Sequence, residues 1–385
     1  MNKQYLYNDN SDNVLLNQLA TSHINVNKPK NIIVKNGIIL PRKENNKNWG
    51  WGVIADKETI ILPEIKAFGG YYDFNEEDVE DYDFEVVYLG YLIPHYGVFL
   101  VDFFRRMSAP LTEYCNTKIA FCGINFPEKC VENINPNCKE LFDLLDITED
   151  RFIDVRKPSR FKKVIIPDVG YEYDSYYYPL FIEPYKLIRQ EIGKTIGCSI
   201  KNQTKDKGYL SRTKFSQNKE SGEKIFEKFF KENGWSIIYP EEYSIAEQVY
   251  IYSHVKSIAS IEGTIAHNIL FSNPGTQQII IRKQQYLNPR QIIFNEITKT
   301  DAQYIDCYKE PFYSFPVDHD SGPFLILFNK NMKCFAKDND MKYHSIEVFF
   351  YNIRSILRYL LLCLQTLYPL GCHKIWKFIH RNDVM

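Results

Sequence analysis

Residues 244–283, SIAEQVYIYSHVKSIASIEGTIAHNILFSNPGTQQIIIRK, decide the fold. Ser244 followed by Glu247 is a capping box, which predicts a helix running to about Val255. The apolar run from Ser257 to Ile261 predicts a buried strand. It ends in Glu262-Gly263-Thr264, where Thr264 can cap a second helix carrying Ile265, His267, Asn268 and Leu270. Pro274-Gly275 stops that helix, and Gln278 to Ile281 supplies the next strand. The corner at Gly263 carries the chemistry. A tight glycine turn between a parallel strand and a helix aims backbone N–H groups at the strand's carboxyl end, and the helix dipole adds positive charge there. Glu262 can accept hydrogen bonds from ribose hydroxyls. Gly263, Thr264, His267 and Asn268 can meet a phosphate or sugar. The plainer alternative is a simple turn followed by a satisfied helix-face histidine.

Upstream of this stretch the alternation continues. Tyr209 to Ser211 is a short strand ending in Arg212. A helix spans about 222–232 and is stopped by Asn233-Gly234, and Ser236 to Tyr239 is the next strand. In the first half, 31–40 and 50–62 are strand-like and suited to antiparallel pairing. The acidic residues 76–85 read as a surface loop and 86–93 as a buried strand. His95-Tyr96-Gly97 leads into a helix over 98–107. Residues 118–123 and 164–166 add strands and 141–145 a short helix. This half is expected to be an α/β domain with a largely parallel sheet. Residues 1–30 read as weakly ordered, and the tyrosine-rich 170–184 as an interdomain connection. Neither GxGxxG nor GxxxxGK[ST] occurs, which removes support for dinucleotide and P-loop chemistry.

At 385 residues the chain exceeds a usual single domain, so two are expected. The division is placed at 1–184 for an N-terminal domain, 185–330 for a nucleotide-binding domain, and 331–385 for a helical tail. A formal net charge of -1 gives no global attraction for nucleic acid. Nine cysteines without CxxC spacing read as reduced thiols rather than metal knuckles. The first residues lack the apolar core of a signal peptide, and no apolar run reaches membrane-span length, so a cytoplasmic location is expected. In the tail, Ile346, Phe349, Phe350, Ile353, Leu357, Leu360 and neighbouring apolar residues form a dense face. Arg354, Arg358, Lys374, Lys377 and Arg381 accompany it, with Trp376 among them. Three accounts of 345–381 remain open: a helix lying on a membrane surface, one packed back on the protein, or one joining two copies.

Several quoted pieces, in order, resemble glycosyltransferase family 61 in its bacterial surface-polysaccharide branch. They are YLSR (Tyr209 to Arg212), GE (Gly222-Glu223), NGW (Asn233 to Trp235), IIYPEEYSIAEQ (Ile237 to Gln248) and IEGTIAHNILF (Ile261 to Phe271). In the first half YLGYLIPHYGVFLVDFFRRM, Tyr88 to Met107, is similar to the family's helix motif HWGHFLVD. The resemblance covers about 85–295. It implies a GT-B fold, with two Rossmann-like domains facing a central cleft. It also implies inverting transfer from a nucleotide sugar to a glycan or lipid-linked acceptor, with no metal or other cofactor. A lipid-linked acceptor would set the protein on the inner face of the cytoplasmic membrane. One departure is Val98, which stands where the family motif often has a second histidine.

An inverting transferase needs a base for the acceptor hydroxyl and cations or N–H donors for the departing diphosphate. Asp102, a carboxylate inside an apolar run, is the first candidate base, against a salt bridge to Arg105 or Arg106. His95 is the second, against a loop histidine bonded to backbone. Arg212, with Ser211 beside it, is the candidate for the diphosphate, because a guanidinium grips phosphate oxygens bidentately and stays charged. Glu223 and Gln248 are supporting residues, and Glu247 is explained by its cap. The DxD-like pairs Asp81/Asp83, Asp318/Asp320 and Asp338/Asp340, which would suit a metal-dependent enzyme, follow no convincing nucleotide-binding strand. The alternative function is a non-catalytic glycan- or nucleotide-binding module of the same fold, kept open by Val98.

Overall fold

A computed structural model of the protein describes residues 4–7, 23–24, 30–45, 48–56, 59–61, 71–93, 95–123, 134, 136–172, 176–195, 206–215, 219–312, 315–317 and 322–379. The chain forms two compact units, one of residues 22–196 and one of 1–21 with 197–385. Both are mixed α/β.

The second unit is built on six strands, all paired in parallel. Across the sheet they run Ser236–Ile238, Lys207–Leu210, Ser257–Ile261, Gln277–Arg282, Asp301–Asp306 and Gln4–Tyr7. Leaving aside the last, the five strands of the C-terminal half lie in the order 2-1-3-4-5, the flavodoxin-like doubly wound arrangement. The direction of winding reverses between Lys207–Leu210 and Ser257–Ile261. Ligands of such sheets sit outside the carboxyl ends of the strands at that reversal. Within 1–30, expected to be weakly ordered, Gln4–Tyr7 is instead an edge strand, and apart from 23–24 and 30 the rest lies outside the described residues. Leu6 is buried there with Ile280, Ile292 and Tyr304, and burying that side chain outweighs the polar character of its neighbours.

The expected capping box is present. The Ser244 hydroxyl accepts from the Glu247 N–H and the Glu247 carboxylate accepts from the Ser244 N–H, starting the helix Ile245–His254. The next turn differs from expectation. Gly263, at φ 131, is the capping residue, and Thr264 is already the first residue of the short helix Thr264–His267. A tighter 3-10 turn, Asn268–Phe271, follows it. A left-handed φ favours glycine, so the backbone rather than a hydroxyl makes this corner. The helix Glu223–Glu232 buries Ile225, Phe226, Phe229 and Phe230 as one stripe. Phe230 stacks on Tyr209 with centroids 4.9 Å apart and meets Trp235 edge-on. The long helix Ser345–Ile379 packs onto this core through Val348. Farther along, its Tyr359 and Cys363 join a second cluster with Leu325. Asn352 holds the backbone N and O of Phe328 at 3.0 and 3.1 Å. Lys374, Trp376 and Lys377 have no described side chains, and Arg381 lies outside the described residues.

The unit of residues 22–196 carries a seven-stranded mixed sheet. Ile32–Asn45 pairs antiparallel with Asn48–Asp56, as expected, and on its other side with Ser159–Ile166. The parallel part is Ser159–Ile166, Glu80–Leu92, Lys118–Gly123 and Phe152–Asp154. The sheet is therefore mixed rather than largely parallel. Glu80–Leu92 includes acidic residues read from sequence as a loop. Cross-strand cations hold them in the sheet: Arg160 meets Asp81 at 2.9 Å and Lys163 meets Glu85 at 2.6 Å. The helix expected over 98–107 has three pitches, an α turn Tyr96–Val98, a π turn Phe99–Phe103 and a 3-10 turn Phe104–Arg106. The tyrosine-rich segment read as a connection packs into this unit. The Tyr171 hydroxyl donates to Val101 O and that of Tyr185 to Leu100 O, both at 2.8 Å. The helix Glu183–Thr195 falls within this unit as well. Among the described residues no helix is long and apolar enough to cross a membrane.

Candidate active site

Arg212 leaves the end of Lys207–Leu210 and Glu262 leaves the end of Ser257–Ile261. The two strands are hydrogen-bonded neighbours, so the winding reversal sets both residues at one end of one sheet. The turn after Arg212 is tied down from below. Glu223 Oε1 accepts from the Arg212 N–H at 2.9 Å and from the Tyr209 hydroxyl at 3.4 Å. The Ser211 hydroxyl donates to Glu227 Oε2 at 2.7 Å, and that of Tyr239 donates to Glu227 Oε1 at 3.0 Å. Ser211 and Glu223 thus hold the loop that presents Arg212. The Arg212 guanidinium lies over the Phe215 ring, 4.9 Å from its centroid, and 3.6 Å from the Glu220 carboxylate.

Glu220 and Lys283 are the residues that sequence reasoning missed. Lys283 Nζ donates to Glu220 Oε1 at 3.0 Å, with both side chains almost wholly buried. Burial alone would raise the Glu220 pKa, but Lys283 and then Arg212 outweigh it and hold the carboxyl below its usual value. Lys283 Nζ stands 3.6 Å from the place a Cβ on Gly263 would occupy, which sets the ammonium against the glycine turn. Its backbone N–H donates to Glu262 Oε2 at 3.4 Å. Arg212 and Lys283 therefore share Glu220, and Arg212, a quarter exposed, is the cation that faces solvent. The signal for Lys283 was its place as the second of two basic residues closing an apolar strand.

Glu262 is buried, and burial pushes its pKa up to about 7 against the opposing pull of Arg282 and Lys283. Arg282 is committed elsewhere, ion-paired to Asp306 and donating to Gln284 O and Gln285 O at 3.2 and 2.6 Å. Near neutral pH, Glu262 can accept or donate a hydrogen bond at the turn. The first N–H groups of the Thr264–His267 turn belong to the set a helix leaves without intrahelical partners.

His267 makes its contacts in a separate network. It is buried, held at 2.8 Å to Gln291 Oε1 and edge-on to Phe294, and burial lowers its pKa to about 4. Gln291 continues the network to Gln278 Oε1 at 3.0 Å, to which Asn295 also donates at 2.6 Å. Asn268 donates to the Tyr252 hydroxyl at 3.4 Å. Gln248 ties the Pro240–Glu242 turn by donating to Pro240 O and Tyr243 O at 2.9 and 3.1 Å.

The two candidate bases lie in the other unit. Asp102 is buried on the Phe99–Phe103 turn. His95 is exposed and caps the Tyr96–Val98 turn, its Nδ1 accepting from the Val98 N–H at 3.4 Å. Of the DxD-like pairs, Asp81 and Asp83 face Arg160 and Lys162 on the sheet, while Asp318 and Asp320 lie outside the described residues. Among the described residues no three His, Cys, Asp or Glu side chains gather closely enough to hold a metal ion.

Residues 96–279 match the sequence model of the family described as Glycosyltransferase 61, just under half of the chain. Among curated proteins none matches. The family match makes the protein an enzyme, a glycosyltransferase.

Proposed function

We propose that the chain is an inverting, metal-independent glycosyltransferase. It moves a sugar from a nucleotide-sugar donor to a glycan or lipid-linked glycan in surface-polysaccharide synthesis, on the cytoplasmic side of the membrane. The two α/β units are taken as the halves of a GT-B enzyme. What carries the donor site is the Arg212–Glu220–Lys283 cluster at the winding reversal, beside the Gly263 turn. Its cations supply the positive charge that a departing nucleoside diphosphate needs, without a metal. Glu220 keeps Lys283 in place, and Arg212 and the turn's N–H groups meet the phosphates. Glu262 takes the ribose or base.

In this reaction the acceptor oxygen attacks the anomeric carbon from the face opposite the diphosphate. The new C–O bond forms as the bond to the phosphate oxygen breaks, so configuration inverts. The electron pair leaves with the diphosphate, and the acceptor proton passes to the base. Asp102 is the favoured base, since the Nδ1 of His95 is already engaged by the Val98 N–H.

Thermal stabilisation by UDP, GDP, dTDP, CDP and CMP, with and without EDTA, tests the donor site. A ligand that binds only the folded state stabilises it by mass action, by about 2.7 kcal/mol at a hundredfold excess over Kd, and so raises Tm. One nucleoside diphosphate is expected to raise Tm whether or not EDTA is present, and to lose that effect in Arg212→Ala. No shift with any nucleotide, or a shift abolished by EDTA, overturns the proposal.

A further inference from the structure

The helix Ser345–Ile379 turns two different faces outward and inward. Inward it is fixed by Val348, Tyr359 and Cys363, by the Asn352 bonds to Phe328, and by the ion pair of Glu347 with Lys228. Outward, Ile346, Phe349, Phe350, Leu357, Leu361 and Leu364 are each more than half exposed. These positions recur at helical spacing, so they form one continuous apolar stripe. A helix rises about 1.5 Å per residue, which makes this stripe long as well as wide. Arg354 and Arg358 stand one turn apart at its border, both exposed. By sequence, the charged residues from 348 to 382 are Arg354, Arg358, Lys374, Lys377 and Arg381, with no Asp or Glu among them.

We infer that this helix lies on an anionic phospholipid surface, apolar stripe in the headgroup boundary and arginines against the lipid phosphates. A second copy of the chain fits the face less well. Helix-to-helix pairing would bring cations toward cations, and the acid near the start of the helix, Glu347, is already engaged by Lys228. A lipid surface supplies both the apolar interior and the negative charge that the stripe and its border require. The orientation is set before binding, because the inward face is packed on the core. The inference rests on the helix alone and does not depend on the donor site.

The test is co-sedimentation of the full chain with phosphatidylcholine vesicles, with and without phosphatidylglycerol, alongside sedimentation velocity without lipid. Binding is expected with phosphatidylglycerol, and to weaken in high salt and by roughly tenfold or more on pure phosphatidylcholine. Leu357→Glu/Leu361→Glu should abolish it, and Arg354→Glu/Arg358→Glu should remove the preference for the anionic lipid. Both pairs are exposed, so an unchanged unfolding temperature will show that the variants are folded. Equal binding to both lipids, binding unaffected by either pair, or a concentration-dependent dimer with no vesicle binding would each overturn the inference.

Discussion

Glu262 is the side chain whose charge the fold controls most directly, and its pH dependence has a definite sign. Its carboxyl titrates at about 7 in the folded chain against 4.5 as its ordinary value. The folded state therefore holds a proton that the unfolded chain releases between those values. Its contribution to stability is fully present below 4.5 and is lost as pH rises through 7, up to about 3 kcal/mol. Glu262→Gln removes that titration. The Tm advantage of the variant over the parent should be small at pH 4.5, grow through neutrality and level off above it. A difference that stays flat across that range would refute the assignment. His267 works the other way, since its pKa of about 4 means that stability is lost on acidification below its usual 6.5. For the chemical step, Asp102→Asn should abolish transfer while nucleotide affinity stays near normal, and His95→Ala should retain most turnover. Measuring kcat beside Kd separates the two, and normal turnover by Asp102→Asn would end its role as base. Arg212, Glu262 and Gly263 were legible because each ends a strand or makes a turn. Glu220 and Lys283 were not, because their pairing spans 63 positions and only the folded sheet joins them.

The helix start at Ser244 was legible because its signal is local, both bonds of its box with Glu247 lying within four residues; at Gly263-Thr264 the glycine, not the hydroxyl, makes the cap. Signals that depend on a neighbour across the sheet were misread. The acids of Glu80–Leu92 look like a loop until Arg160, Lys162 and Lys163 are set beside them. Two glycines show how local and tertiary demands differ. Gly222 has φ 120, and a methyl group there would sit 1.9 Å from the carbonyl oxygen of Ile326. Gly234 has φ 84 but open space around it. Gly234→Ala should therefore cost only the backbone strain, about 1–3 kcal/mol. Gly222→Ala must also push the Glu223–Glu232 helix from the Phe324–Ile326 strand, and should leave little folded protein. Urea unfolding of both, with equal losses, would contradict that account.

For the whole molecule, the alternation of strands and helices was legible, but the ends of the second unit were not. Nothing local in QYLY announces that Gln4–Tyr7 belongs beside Asp301–Asp306, since the partner lies about three quarters of the chain away, Gln4 opposite Ala302. Leu6 is buried against Ile280, Ile292 and Tyr304, while Tyr7 meets Phe335 edge-on in the main core of the unit. Leu6→Ala should lower stability by about 2–5 kcal/mol, read as an earlier urea midpoint for the unit of 1–21 and 197–385. An unchanged midpoint would mean that burial of Leu6 contributes nothing to that unit.

The pairing of Gln4 with Ala302 also sets a timetable. A ribosome adding roughly 5–20 residues per second leaves the first strand waiting about 15–60 s for its neighbour. In that interval all of residues 22–196 emerge and are free to fold. The edge of that sheet then closes with a segment made long before its partner. Until Ile280, Ile292 and Tyr304 emerge, Leu6 has no partners to cover it, so the nascent chain offers chaperones an apolar handle that the finished protein hides.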